Sequence, residues 1–193
     1  MPGTVTPRQR MLAALRHAPV DRPPATPDLH QMFPSKHWGY TTWDVIGPKA
    51  HVPLWKIRLK TFREFDLDAW LQAGVHFAGS KNVQSTSRIL SEDAESYEEE
   101  ITLETPKGVL TQRIIYPLHD GEWVAKNLVE NPPADQEKIA GLLDYDPEES
   151  YSLSGYREIV EALGEDGLVF STSDQTARDT PPENLEAFRR GVE

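Results

Sequence analysis

The feature that most constrains this chain is one stretch in which helix, stop and strand follow one another without a break. Leu153, Tyr156, Ile159, Val160 and Leu163 recur at helical spacing, which predicts a helix with one apolar face. Gly164 stands where a helix needs a residue tolerant of left-handed backbone. Gly167-Leu168-Val169-Phe170-Ser171 then reads as a buried strand emerging at Ser171, Ser173 and Asp174. A helix that turns back at once into an apolar strand is the αβ unit of parallel α/β proteins, so the expected class is α/β.

The rest of the chain is read around that unit. Thr6 as N-cap and Pro7 at the first helical position predict a short helix bearing Met11, Leu12 and Leu15 on one side, stopped by Pro19. Residues 20–30 carry Pro23, Pro24 and Pro27 and are expected to be extended, as a strand leading to a polar tip at Asp28 and His30. Residues 31–52 are irregular and aromatic, with Phe33, Trp38, Tyr40 and Trp43. The clearest helix spans 53–65: Leu54, Trp55, Leu59, Phe62 and Phe65 form a wide apolar arc, and Lys56, Lys60, Arg63 and Glu64 a polar stripe. Ala69 to Ala78 fits a strand or a short helix.

Glu98–Thr105 and Val109–Tyr116 flank a Pro106-Lys107-Gly108 turn, which predicts an antiparallel hairpin, with a further strand at Trp123 and Val124. The acidic run Glu92 to Glu100 is expected to be a solvated edge. Ile139, Leu142 and Leu143 suggest a short helix, and Thr180-Pro181-Pro182-Glu183 opens a last one carrying Leu185 and Phe188. No linker divides the chain, so one domain, with or without an arm, is expected.

Composition narrows the function classes. The net charge is -11, and a nucleic-acid or membrane-surface role needs clustered cations instead. There is no cysteine, which excludes disulfides, thiolate zinc sites and cysteine nucleophiles within this segment. No apolar run reaches the ~20 residues of a membrane span. Met1 to Arg10 lacks a signal-peptide core, so the cytoplasm is the default.

Four stretches together resemble the uroporphyrinogen decarboxylase superfamily. They are Pro7 to Arg16 with Pro19-Val20-Asp21-Arg22-Pro23-Pro24; Thr105-Pro106-Lys107-Gly108-Val109-Leu110-Thr111; Trp123 into the helix at Asp135; and Tyr156 through Phe170. The resemblance implies a partial TIM-like (β/α) barrel with an inserted antiparallel β-hairpin. Residues 1–193 would be its N-terminal portion, incomplete and inactive in isolation, with about three barrel strands against eight in a closed cylinder. The family's decarboxylases carry an arginine-rich loop after the first strand, whereas this chain has Asp28-Leu29-His30-Gln31-Met32-Phe33. That difference favours the branch of corrinoid-linked methyltransferases and demethylases. The alternatives are uroporphyrinogen decarboxylase itself and a non-catalytic half-barrel that acts as an interaction module.

In such barrels the site lies at the C-terminal ends of the strands. Asp28 and His30 follow the first strand, and alternation places them on one side of an extended chain, where they would bind a metal or exchange a proton with substrate. The plainer alternative is a polar pair that satisfies a loop. His37 and Trp38 would line the same mouth and stack on a flat ligand, or else fill the core beneath a long loop. Ser173 and Asp174 follow the later strand as substrate-binding candidates. The resemblance implies a small-molecule substrate and a corrinoid protein as partner, with corrinoid and zinc belonging to the full-length protein and no cofactor on this segment. An uncovered half-barrel would also pair with itself as a homodimer.

Overall fold

The computed structural model describes residues 5–73, 76–77, 82–142 and 151–170. Helix α1 (Pro7–Leu15) starts at a capping box. The Thr6 hydroxyl accepts from the Gln9 amide at 3.2 Å, and the Gln9 side chain accepts from the Thr6 amide at 3.1 Å. The chain then runs extended to a short helix α2 (Met32–His37), a single-turn α3 (Thr42–Val45) and α4 (Leu54–Glu64). Strand β1 (Ala69–Gln72) and a two-residue β2 (His76–Phe77) follow. Four antiparallel strands come next: β3 (Gln84–Glu92), β4 (Ser96–Thr105), β5 (Gly108–Pro117) and β6 (Trp123–Lys126). Helix α5 (Pro132–Leu142), β7 (Tyr151–Ser152), α6 (Ser154–Leu163), one 3-10 turn and β8 (Gly167–Phe170) complete the described chain.

β1 and β8 pair in parallel, Ala69 opposite Gly167 through Gln72 opposite Phe170. The expected αβ unit is therefore present: α6, Gly164 with φ 53°, a tight turn, and a strand joined to β1. Gly167 lies so close to β1 that an added Cβ would meet the Ala69 carbonyl oxygen at 1.7 Å, so only glycine fits this register. Ala69, Leu71 and Ala73 form one core with Leu59 and Phe62 of α4 and Ile159 and Leu163 of α6. Each large side chain fully buried there contributes about 1.5–3 kcal/mol. α4 thus covers a sheet, as its apolar arc predicts.

The segment 20–30 is extended but joins no ladder, which corrects the expected strand. Pro23, Pro24 and Pro27 have no N–H to give, so a regular strand pairing cannot form. What remains still runs beside β1 and in its direction. The Ala25 carbonyl accepts from the Asp68 amide at 3.0 Å, and two residues on the Pro27 carbonyl accepts from the Trp70 indole at 3.1 Å. Asp68, just before β1, fixes the alignment. Its fully buried carboxylate accepts from Arg10 Nη1, from Arg22 Nη1 at 2.6 Å and from the Ala25 amide at 2.7 Å. Arg10 also holds Asp21 through Nε and Nη2 at 2.7 and 2.8 Å.

Residues 98–116 form the expected hairpin, with Thr105 opposite Gly108 across Pro106-Lys107. It is part of a larger meander, β3-β4-β5-β6, in which Trp123 and Val124 lie on the last strand. The acidic run is a solvated edge only at its start, where Glu92, Asp93 and Glu95 are exposed at the end of β3 and in the turn after it. β4 is an inner strand, and Glu99 and Glu100 are 5% and 8% exposed. Their charges are matched: the Tyr116 hydroxyl donates to Glu99 at 3.1 Å, and Arg88 and Arg113 donate to Glu100 at 2.7 and 3.1 Å. The exposed edges of the meander are β3 and β6.

The aromatic stretch 31–52 packs between the two sheets. The Trp38 indole donates to the Thr61 hydroxyl at 2.9 Å, tying α2 to α4, and the Trp43 indole donates to the Tyr116 carbonyl at 3.0 Å, tying α3 to β5. Among the described residues the parallel ladder holds two strands and no barrel closes. The expected helix at Thr180, together with Leu143, Ser171, Ser173 and Asp174, falls outside the described residues.

Candidate functional site

The C-terminal ends of the parallel strands are formed by Gln72 on β1 and Phe170 on β8. Asp28 and Leu29 reach the same level from the extended segment, lining a small pocket with Arg58, Phe62, Trp70 and Gln72. This pocket is about 10 Å³, room for roughly one water. Trp70 and Gln72 also line a much larger open groove of about 710 Å³ whose other walls include Met11, Leu15, Pro24 and Phe170. Alternation along β1 explains this: Ala69 and Leu71 turn into the core beneath α4 and α6, and Trp70 and Gln72 point the other way. Opposite them in β8 stand Leu168 and Phe170, the latter 40% exposed and 6.3 Å from the Trp70 ring. The groove is thus the apolar face of the parallel pair, bordered by Met11, Ala14 and Leu15 of α1 and otherwise open.

The structure places Asp28 and His30 at this end but not in the alternating arrangement. His30 takes a left-handed conformation, φ 39°, so the chain turns between the two residues. The Asp28 carboxylate turns back on its own chain and accepts from the His30 amide at 3.0 Å, an Asx turn. Both residues are exposed.

His37 and Trp38 end α2 and line neither cavity. The His37 ring stacks on Phe33 at 5.8 Å and meets Phe65 at 5.2 Å in an exposed aromatic cluster. The Trp38 ring carries the Lys60 ammonium 3.4 Å from its centre.

Arg58 escaped the sequence reading, although one signal was present. Leu54, Arg58 and Phe62 are spaced four apart, so Arg58 interrupts the apolar side of the helix and stands off the Lys56–Lys60–Arg63 stripe. It is half-buried, and its Nε donates to the His30 carbonyl at 3.3 Å. Among the described residues no carboxylate lies within ion-pairing distance of it and neither terminal nitrogen has a hydrogen-bond partner. Burial holds its pKa below the usual arginine value, opposed by the charge of Asp28.

Among the described residues no group of three or more His, Cys, Asp or Glu could hold a metal, and the chain has no cysteine. The site can therefore offer a cation, a carboxylate, an exposed imidazole and an apolar wall. No family model, curated protein or solved structure matches the chain.

Proposed function

We propose that this chain is the N-terminal portion of a uroporphyrinogen-decarboxylase-like barrel and serves a corrinoid-linked methyltransferase or demethylase, with its substrate mouth at Asp28, His30, Arg58 and Gln72. The observation that supports it is the run of three extended segments in chain order. Residues 23–29, β1 and β8 lie side by side in one direction, with α4 and α6 on one face and the opposite apolar face open. That is the succession of strands with which a (β/α) barrel begins. The C-terminal strand ends then bear the polar groups and the opposite ends bear the Asp68 lock. The His and Cys ligands that the resemblance implies for zinc belong, in this reading, to the part of the barrel that completes it.

Two assays test the assignment. Chromatography of uroporphyrinogen incubated with the pure chain should show no loss of carboxyl groups; turnover would overturn the methyltransferase branch in favour of decarboxylase. The genomic frame 3′ of the Glu193 codon should continue into a segment with one His and a Cys pair, and a continuation lacking them would remove the methyltransferase reading.

The open groove favours a second reading, that the half-barrel acts by docking another protein surface. Exposed apolar faces promote association. The pure chain should then sediment as a dimer or larger and bind a hydrophobic dye. A monomer that binds no dye would remove this reading.

A further inference from the structure

We propose that Arg58 is the anchor of a binding site for an organic monocarboxylate whose apolar body lies along Trp70 toward Phe170. The inference rests on reading these strand ends as a substrate mouth, and it assigns the chemical class that the mouth takes.

A half-buried guanidinium normally faces a carboxylate, because taking a cation out of water is costly unless it is paired. The arginines that bridge elements here follow that rule: Arg10 and Arg22 hold Asp68, Arg63 holds Asp166, and Arg88 and Arg113 hold Glu100. Half-buried Arg8 on α1 has no carboxylate among the described residues and lines neither cavity. Arg58 has none either, and it does line a pocket. Among the described residues its only hydrogen bond uses Nε, which leaves the forked pair of terminal N–H groups free for a carboxylate. The acid that shares its pocket, Asp28, is engaged by its own Asx turn.

The adjoining wall defines the rest of the ligand. Trp70 and Gln72 border both the Arg58 pocket, which has room for about one water, and the 710 Å³ groove, so a carboxylate oxygen that takes the place of that water at Arg58 has an aromatic surface beside it and open apolar space for the rest of the ligand beyond. A bare inorganic anion would use the arginine and leave the groove empty. A neutral apolar molecule would do the reverse. Asp28 disfavours ligands of higher charge at the same place.

The test uses ¹⁵N-labelled full-length chain and three probes: benzoate, benzamide as its neutral isostere, and acetate as the charge without the body. The Trp70 indole N–H, assigned from a Trp70→Phe spectrum, and the Arg58 Nε–H report binding. Benzoate should shift both saturably and bind about tenfold or more tightly than either other probe, the difference expected for one charge-assisted fork. Arg58→Gln should bring benzoate down to the level of benzamide, and Arg58→Lys should fall between, with thermal melting showing both variants folded. Equal binding of benzoate and benzamide to the native chain would overturn the proposal, as would unchanged benzoate binding by a folded Arg58→Gln. Inorganic phosphate is titrated as a fourth probe, and binding tighter than benzoate would overturn the carboxylate class. The outcome is separable from that of the methyltransferase reading: benzoate bound at Arg58 by a chain whose frame lacks the His and Cys ligands upholds the site and removes that reading.

Discussion

Replacing Asp68 with alanine should cost about 3–5 kcal/mol of stability, the usual loss when one partner of a buried ion pair is removed. The structure shows how the loss divides. Arg10 keeps Asp21 through two hydrogen bonds, so its charge is only partly stranded. Arg22, with a side chain 39% exposed, can regain water. The Ala25 amide loses its acceptor in a part-buried position, which alone costs about 1–3 kcal/mol. With total stability of about 5–15 kcal/mol for a domain, the variant gives up about a fifth of the whole or more. In urea, at a slope of about 2 kcal/mol/M, the midpoint should fall by about 2 M. Asp68→Asn keeps one oxygen for the Ala25 amide but sets an NH₂ against an arginine, so it should recover only part. A loss below about 1 kcal/mol for Asp68→Ala would refute the reasoning, because it would mean that the three donors are satisfied without the carboxylate.

The same network sets a pH dependence. Burial pushes the Asp68 pKa up, but the Ala25 amide, Arg10 and Arg22 outweigh it and hold the group below its ordinary 3.8. Asp21 is lowered to about 2, chiefly by its hydrogen bond from Arg10. A carboxyl whose folded pKa is depressed adds stability above its unfolded pKa and loses it as pH falls through the folded value. Wild-type chain should therefore lose stability from about pH 4 down toward about 2, and Asp68→Ala should lose less over that window. Identical acid profiles would contradict the assignment.

Two further changes probe the seam between the sheets. Gly47 has φ 81°, and a Cβ there would lie 2.5 Å from the Tyr97 hydroxyl and 2.7 Å from the Tyr116 ring, so Gly47→Ala should cost about 1–3 kcal/mol in thermal or urea unfolding; an unchanged midpoint would show that the rings yield. Among the described residues the buried Tyr97 hydroxyl has no hydrogen-bond partner, and burial first, then Glu99, pushes its pKa up to about 12, with the Lys49 amide pulling the other way. Tyr97→Phe should therefore be neutral or stabilising by up to about 1 kcal/mol, and a clear loss would reveal a partner for that oxygen. Since the same hydroxyl is the first atom the new methyl meets, Tyr97→Phe should also relieve part of the Gly47→Ala defect in a double-mutant cycle, whereas strict additivity would place the strain in the backbone alone.

Elements governed by local periodicity were legible in the sequence. The α6–Gly164–β8 unit, the α4 helix and the turn at Pro106-Lys107 each follow from spacing and turn chemistry within one short stretch. Elements governed by distant partners were not. The acidic run reads as a wet edge until Arg88, Arg113 and Tyr116 are brought beside Glu99 and Glu100. Residues 20–30 read as a strand because prolines force extension, yet those prolines deny it a ladder. Asp28 and His30 keep the sequence position assigned to them but not the shared side, since one left-handed residue is enough to break alternation. Arg58 was hidden by the habit of assigning helix cations to the solvent face.

The residues that carry the resemblance most specifically have a structural task. Arg10, Asp21 and Arg22 stand in the Pro7-to-Pro24 stretch, and all three engage one another or Asp68 at the N-terminal end of β1. In the (β/α) barrel proposed above, that end would serve stability and the opposite end chemistry. The lock nevertheless reaches the mouth through the backbone. By fixing Ala25 against Asp68 it sets the level at which Asp28 and Leu29 meet Gln72 and Arg58. Proline-rich backbone cannot hold that level with ladder hydrogen bonds, so buried charges hold it instead. A motif that itself lines neither the small pocket nor its mouth can in this way determine where Asp28, Leu29 and Arg58 stand.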